Sequence, residues 1–84
     1  MRPIIVLNDP TLKGGRVTQG SPSTFLYGLN VARLGDRVLC THGPCAIDQG
    51  DETVLVDDRP IAREGDRLAC GDTLVATHDD VCIV

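Results

Sequence analysis

Apolar residues in this chain come in short runs, among them Ile4–Leu7, Phe25-Leu26 and Val54–Val56, and no stretch holds a 3.6-residue period for three turns. Nine Gly and five Pro would interrupt such a period in any case. Thr24-Phe25-Leu26-Tyr27 closes at Gly28, and Thr53-Val54-Leu55-Val56 closes at Asp57-Asp58. Each run predicts a strand that turns sharply into the next one, Leu29–Arg33 or Arg59–Arg63. Gly-Asp pairs at 35–36, 65–66 and 71–72 add further turn punctuation. The pattern predicts hairpins throughout, with no more than one helical turn near Gly71-Asp72-Thr73. Thr, Val and Ile supply a quarter of the residues, which favours the same strand-rich outcome.

The pattern also repeats. A shift of 30 residues lays Val31–Cys40 on Ile61–Cys70 with six of ten positions identical, and lays Gly20–Leu26 on Gly50–Val56. One offset held over two separate blocks indicates an internal repeat. A third, partial copy begins at Asp9, set against Asp36 and Asp66. Four residues beyond each Asp stand Lys13, Cys40 and Cys70. The middle copy carries three extra residues, within Thr41-His42-Gly43-Pro44-Cys45, and elaboration of one copy of a repeat marks a loop with a task. A chain with about three copies of one hairpin is expected to have pseudo-threefold character.

Composition narrows the choice. At 84 residues there is room for one small domain, expected to span 1–84 with no toxin extension. Eight Lys+Arg against 12 Asp+Glu, net −4, argue against a nucleic-acid partner, and Phe25 and Tyr27 alone offer no stacking platform. Ile4–Leu7 is too short for a signal-peptide core or a membrane span, so synthesis in the cytoplasm with reduced thiols is expected. Cores of this size seldom yield more than about 3–5 kcal/mol, so a metal, a partner surface or the repeat geometry has to supply the rest.

Four cysteines and two histidines hold the candidate chemistry. Cys40 and His42, two apart on a strand, face one side and can reach one ion. Cys70 is the repeat-mate of Cys40, His78 follows eight residues on, and Cys45 is an alternative to His78. Thiolates and imidazoles in a tetrahedral set select Zn²⁺. Cys82, between Val81 and Ile83, reads as a packed or edge-strand thiol. A Cys40–His42 nucleophilic pair is conceivable, but an oxyanion hole and a pocket are hard to build in this chain, so no catalysis is expected. Arg33 and Arg63, each in an Ala-Arg-x-Gly-Asp-Arg phrase, are expected to bind Asp side chains and carbonyls between repeats and so fix the angle at which hairpins meet. Gly14-Gly15 lacks the helix and Lys-Ser/Thr of a phosphate loop and reads as a turn.

Asn30-Val31-Ala32-Arg33-Leu34-Gly35-Asp36 and Arg59-Pro60-Ile61-Ala62-Arg63-Glu64-Gly65-Asp66 resemble the Pro-Ala-Ala-Arg phrase of the PAAR-repeat proteins. Asp9-Pro10-Thr11, Gly14-Gly15, Gly20-Ser21-Pro22, Cys40-Thr41-His42-Gly43 and Ala69-Cys70-Gly71 stand where that family has its glycine, proline and ligand signposts. The resemblance implies an all-β, small conical fold of repeated β-hairpins that caps and sharpens the trimeric valine-glycine repeat spike of a type VI secretion system or related contractile injector. It further implies a Zn²⁺ near the point, export on the spike, and effector cargo in some members. Lys13 occupies the place of the family's usual first His ligand, and an ammonium cannot ligate, so the expected metal set is His42, Cys70, Cys40 and His78, with Cys45 behind His78. The leading expectation is a structural metal-binding spike tip, one chain per trimer. The rivals are a small cytosolic zinc-binding adaptor and a stand-alone thiol enzyme using Cys40.

Overall fold

The computed structural model describes residues 2–26, 28–41, 43–77 and 82–83, and its elements are strands: β1 Arg2–Pro3, β2 Arg16–Val17, β3 Phe25–Leu26, β4 Leu29–Asn30, β5 Arg37–Cys40, β6 Gly43–Ala46, β7 Asp51–Val56, β8 Arg59–Ile61 and β9 Cys82–Ile83. The fold is all-β, as its sequence pattern predicts, in small antiparallel sheets ordered β1-β9, β2-β5-β6, β3-β4 and β7-β8. Asp57 and Asp58 close β7 on β8 with φ of 53° and 65°, the two left-handed residues of a type I′ turn. Asx side chains tolerate that conformation better than other residues do. In the β3–β4 hairpin Leu26 lies opposite Leu29, and Gly28 has φ 74°. A third hairpin is assembled from distant segments: β9 pairs with β1, Cys82 opposite Pro3, in the register that sets Phe25 opposite Asn30 and Leu55 opposite Pro60.

The three copies share one turn. Val6–Asp9, Arg33–Asp36 and Arg63–Asp66 each close with a backbone hydrogen bond from the Asp N–H to the first carbonyl, at 3.1, 3.1 and 3.0 Å. The third residue is left-handed in all three, Asn8 at 73° and Gly35 and Gly65 at 87°, which is why only Gly or Asn stands there. The Asp carboxylate then folds back to accept the first residue's N–H, at 2.9, 2.8 and 2.9 Å. Asp9, Asp36 and Asp66 are accordingly buried. This shared geometry places Asp9 in register with Asp36 and Asp66, the alignment expected for the partial first copy.

Above these turns the copies join in a closed ring. Ala32 N–H donates to Ile5 O (2.9 Å), Ala62 N–H to Ala32 O (3.0 Å) and Ile5 N–H to Ala62 O (3.1 Å). All three residues are fully buried around this pseudo-threefold axis. A second cycle surrounds it, with the N–H groups of Leu7, Leu34 and Glu64 donating to the carbonyls of Asn30, Pro60 and Pro3 at 2.7, 2.8 and 2.8 Å. The core is divided. Ile5, Val17, Ala32, Val38, Ile47 and Leu74 belong to one cluster, which also holds Cys40 and packs against Cys45 and Cys70. Ile4, Val6, Val31, Val56 and Ile61 form the other, with Leu26 and Leu29 of the β3–β4 hairpin against it.

Arginines bind the turns to the hairpins. Arg33, buried, grips Asp36 through Nε (3.0 Å) and Nη2 (2.8 Å) and reaches Asp57 of the β7–β8 turn through Nη1 (2.9 Å). The Asp36 hydrogen bond is the main cause of a raised Arg33 pKa, against the opposing effect of burial. Asp57 also accepts from the hydroxyls of Ser21 and Ser23, so one carboxylate ties two hairpins together. Arg63 makes a looser copy of the fork on Asp66, 3.3 and 3.2 Å, and Arg2 binds the same carboxylate at 2.6 Å. Arg63→Ala is therefore expected to destabilise by about 1.5–3 kcal/mol, the range for hydrogen bonds to charged groups, and by less than Arg33→Ala. Urea unfolding of both variants checks this, and an unchanged midpoint for Arg63→Ala would reduce that side chain to solvated decoration.

A candidate metal centre of three thiols

Strand β5 alternates, with Arg37 and Leu39 outward and Val38 and Cys40 inward, so Cys40 enters the core and is buried. The pairing of Val17 with Val38, Ile47 with Leu68 and Leu74 with Thr11 makes Val38, Leu68 and Thr11 equivalent around the axis. Two residues on, the same register gives Cys40, Cys70 and Lys13. Cys40 and Cys70 meet, Sγ to Sγ, at 3.3 Å. Lys13 is exposed, and its backbone N–H donates to Asp72 (3.2 Å). A third sulfur comes from the three-residue elaboration instead. In copies one and three the loop is short, closed by Thr11 N–H to Gly15 O and Leu68 N–H to Asp72 O, both 2.9 Å. In copy two it extends into the β5–β6 hairpin, where Cys45 lies opposite the inward-facing Val38. Residues directly opposite share a face. The sulfurs of Cys40, Cys45 and Cys70 consequently converge, all within 4.8 Å of one another, and Cys45 Sγ accepts the Cys70 N–H at 3.1 Å.

The environment separates the thiols. Burial pushes the Cys40 thiol up to about 12, with the neighbouring sulfurs adding to it. Cys70 lies below its ordinary value, chiefly because the Asp72 backbone N–H stabilises its thiolate, with Cys45 assisting. Asp72 anchors the floor of the cluster. It is buried, which raises its pKa, but hydrogen bonds from Thr11 Oγ1 (2.6 Å), Thr73 N–H (2.7 Å) and Lys13 N–H outweigh that and hold the carboxyl below its usual range. It thereby joins the first and third copies beside the sulfurs. The loop of copy one passes so close that a Cβ on Gly15 would lie 2.5 Å from Leu39 O, so only glycine fits there.

Of the residues expected as ligands, the structure brings two together. Cys40 and Cys70 are brought together, and Cys45, placed behind His78 from sequence, is the third member. His42 and His78 lie outside the described residues. The signal for Cys45 is its spacing from Cys40: with Cys40 opposite Gly43, the strand period puts Cys45 on the inner face, opposite Val38. In the sequence Asp72 reads only as turn punctuation; Gly71-Asp72-Thr73 is a bend around Gly71 (φ 92°), without a helical turn. Three converging sulfur donors fit a soft or borderline divalent cation, and such an ion would cross-link copies two and three.

No helix among the described residues is long and apolar enough to cross a membrane. Residues 7–76 match the family model described as PAAR motif. The chain is similar to the double-stranded DNA deaminase toxin A of Burkholderia cenocepacia strain H111, 30% identical over 71 residues that cover 80% of this chain and 5% of that protein. The chain spans about one twentieth of that relative's length. The repeated Ala-Arg-x-Gly-Asp turns, the closed threefold ring and the match over residues 7–76 together place the chain in the PAAR motif family.

Proposed function

We propose that this chain is the non-catalytic, metal-stapled tip of a trimeric spike in a type VI secretion system or related contractile injector, with one chain on each trimer. The ring joining Ile5, Ala32 and Ala62 carries the reading, because it lets one chain offer three equivalent edges to a threefold partner. The three hairpins β3–β4, β7–β8 and β9–β1 form the docking end. Phe25 and Leu55 occupy equivalent places on two of them and are both more than half exposed, although each is large and apolar. Strand edges there can continue a β-structured shaft by strand addition. At the other end of each copy, Cys40, Cys45 and Cys70 hold a Zn²⁺, with His42, between Cys40 and Cys45 in sequence, as fourth ligand ahead of His78. Four protein ligands leave no position for a reactive water, so the ion's contribution is structural. The similarity to a short part of a much longer toxin supports effector cargo as a further partner.

Native mass spectrometry of the chain mixed with its spike trimer is the test, and one chain per trimer is the expected result. Phe25→Ser with Leu55→Ser should weaken the complex about 30-fold or more, the effect of losing a central anchor worth about 2 kcal/mol, while leaving the fold intact. Three chains per trimer, or affinity untouched by the double change, would sink the docking geometry. Failure to bind any spike would favour the adaptor reading.

A further inference from the structure

We propose that the thiol cluster is also a modification site, at which Cys40 and Cys70 form an internal disulfide by exchange with a small-molecule disulfide. The inference rests on the sulfur geometry, and on the metal reading only for the ion release described below. The two sulfurs are already 3.3 Å apart, so a bond of about 2.0 Å needs an approach of little more than 1 Å. Their access differs: Cys40 is 5% exposed, whereas Cys70 is half-buried and reachable from solvent. Cys45 is also half-buried, but the sulfurs that meet at 3.3 Å are those of Cys40 and Cys70. That arrangement gives Cys70 the part of the attacking thiol and Cys40 the part of the resolving one.

The steps balance. The Cys70 thiolate attacks one sulfur of R–S–S–R, forming Cys70–S–S–R and releasing RS⁻, which takes up the proton that Cys70 gave to solvent. The Cys40 sulfur, losing its proton, then attacks Cys70 Sγ. The Cys40–Cys70 bond forms, the second RS⁻ departs, and it is protonated in turn. Two protein thiols lose two electrons and two protons, and the small disulfide becomes two thiols. A metal ion held by the cluster loses two of its three sulfur donors and is set free. A chain carried from a reducing to an oxidising compartment would in this way replace a metal cross-link between copies two and three by a covalent one in the same place.

Oxidised glutathione is the probe, added to the purified chain with and without EDTA. After the remaining thiols are alkylated, intact mass and non-reduced peptide mapping are read, and a chromogenic chelator follows released metal. The expected result is a loss of two hydrogen atoms per chain, a linked peptide joining Cys40 to Cys70, and metal release in step with the linkage where metal was bound. Cys45→Ser should retain the linkage and Cys70→Ser should abolish it. Absence of the Cys40–Cys70 peptide in both arms, or linkage through Cys45 or Cys82 in its place, overturns the proposal. The map of the unaltered chain decides this even if a variant fails to fold. A chain purified without metal would refute the metal reading while leaving the linkage assay fully informative.

Discussion

Asp36→Ala is expected to unfold most of the metal-free protein at room temperature. Asp36 is fully buried, accepts three hydrogen bonds, from the Arg33 N–H at 2.8 Å and from Arg33 Nε and Nη2, and forms a more distant ion pair with Arg59 Nη1 at 3.5 Å. Removing one partner of a buried ion pair costs about 3–5 kcal/mol, because the other charge stays buried without compensation. Here the orphan is the Arg33 guanidinium, left with Asp57 alone. The turn Arg33–Asp36 loses its carboxylate cap in the same step. That penalty equals the whole stability expected from a core of this size, about 3–5 kcal/mol. Circular dichroism and urea titration should show a lost transition for Asp36→Ala, whereas Glu52→Ala, on an exposed position of β7, should stay within about 0.5 kcal/mol of the parent. A deficit under 1 kcal/mol for Asp36→Ala would show that the turn needs no carboxylate.

Removal of the metal should have the second large effect. Elemental analysis of protein purified without chelator is expected to find one zinc per chain, and Cys40→Ser with Cys70→Ser should bring that close to zero. A ligand present at 100 to 1,000 times its Kd adds about 2.7–4.1 kcal/mol, and each kcal/mol moves the midpoint of a domain this small by about 4–8 °C. The thermal midpoint should therefore fall by about 10 °C or more with EDTA. The pH dependence has a definite sign. Without metal, Cys40 is held protonated at neutral pH by burial, its thiol pushed up to about 12. Binding must expel that proton, so affinity rises with pH and acidification releases the ion. A zinc content near zero in untreated protein rejects the site. Zinc that survives loss of both cysteines shows that other residues hold it.

Much of this arrangement is legible in the residues alone. The 30-residue offset, the third copy at Asp9 and the extra residues after Cys40 all have direct counterparts in the three turns, the ring and the long β5–β6 hairpin. Cys40 and Cys70 could be paired because they share a place in the repeat. Cys45 does not, since it sits opposite Val38 in a hairpin the other copies lack, and its orientation depends on where the turn falls by a single residue. The third hairpin was hidden for a different reason: β1 and β9 are nearly the whole chain apart, and no local pattern announces their pairing. Arg33 and Arg63 were expected to tie repeats together. Their main partners are the Asp residues of their own turns, and the links to the β7–β8 hairpin are made by the remaining guanidinium nitrogens, through Asp57 and Asp51. A long side chain's choice among nearby carboxylates is set by packing and is invisible in spacing.

The ring of Ile5, Ala32 and Ala62 also governs the order in which the chain can fold. Any two of its hydrogen bonds require a third copy to be in place before the last can form, and that last bond spans residues 5 and 62. The hairpins β3–β4 and β7–β8 close locally and are quick, on the order of microseconds. The ring must bring together segments separated by about 30 residues or more, and loop-closure entropy is spent before its bonds compensate. Topologies dominated by such pairings fold in roughly milliseconds to seconds. A nascent chain that has not yet delivered Ala62 therefore holds preformed hairpins without a core to join them, and the molecule becomes a single cooperative unit only when the third copy arrives.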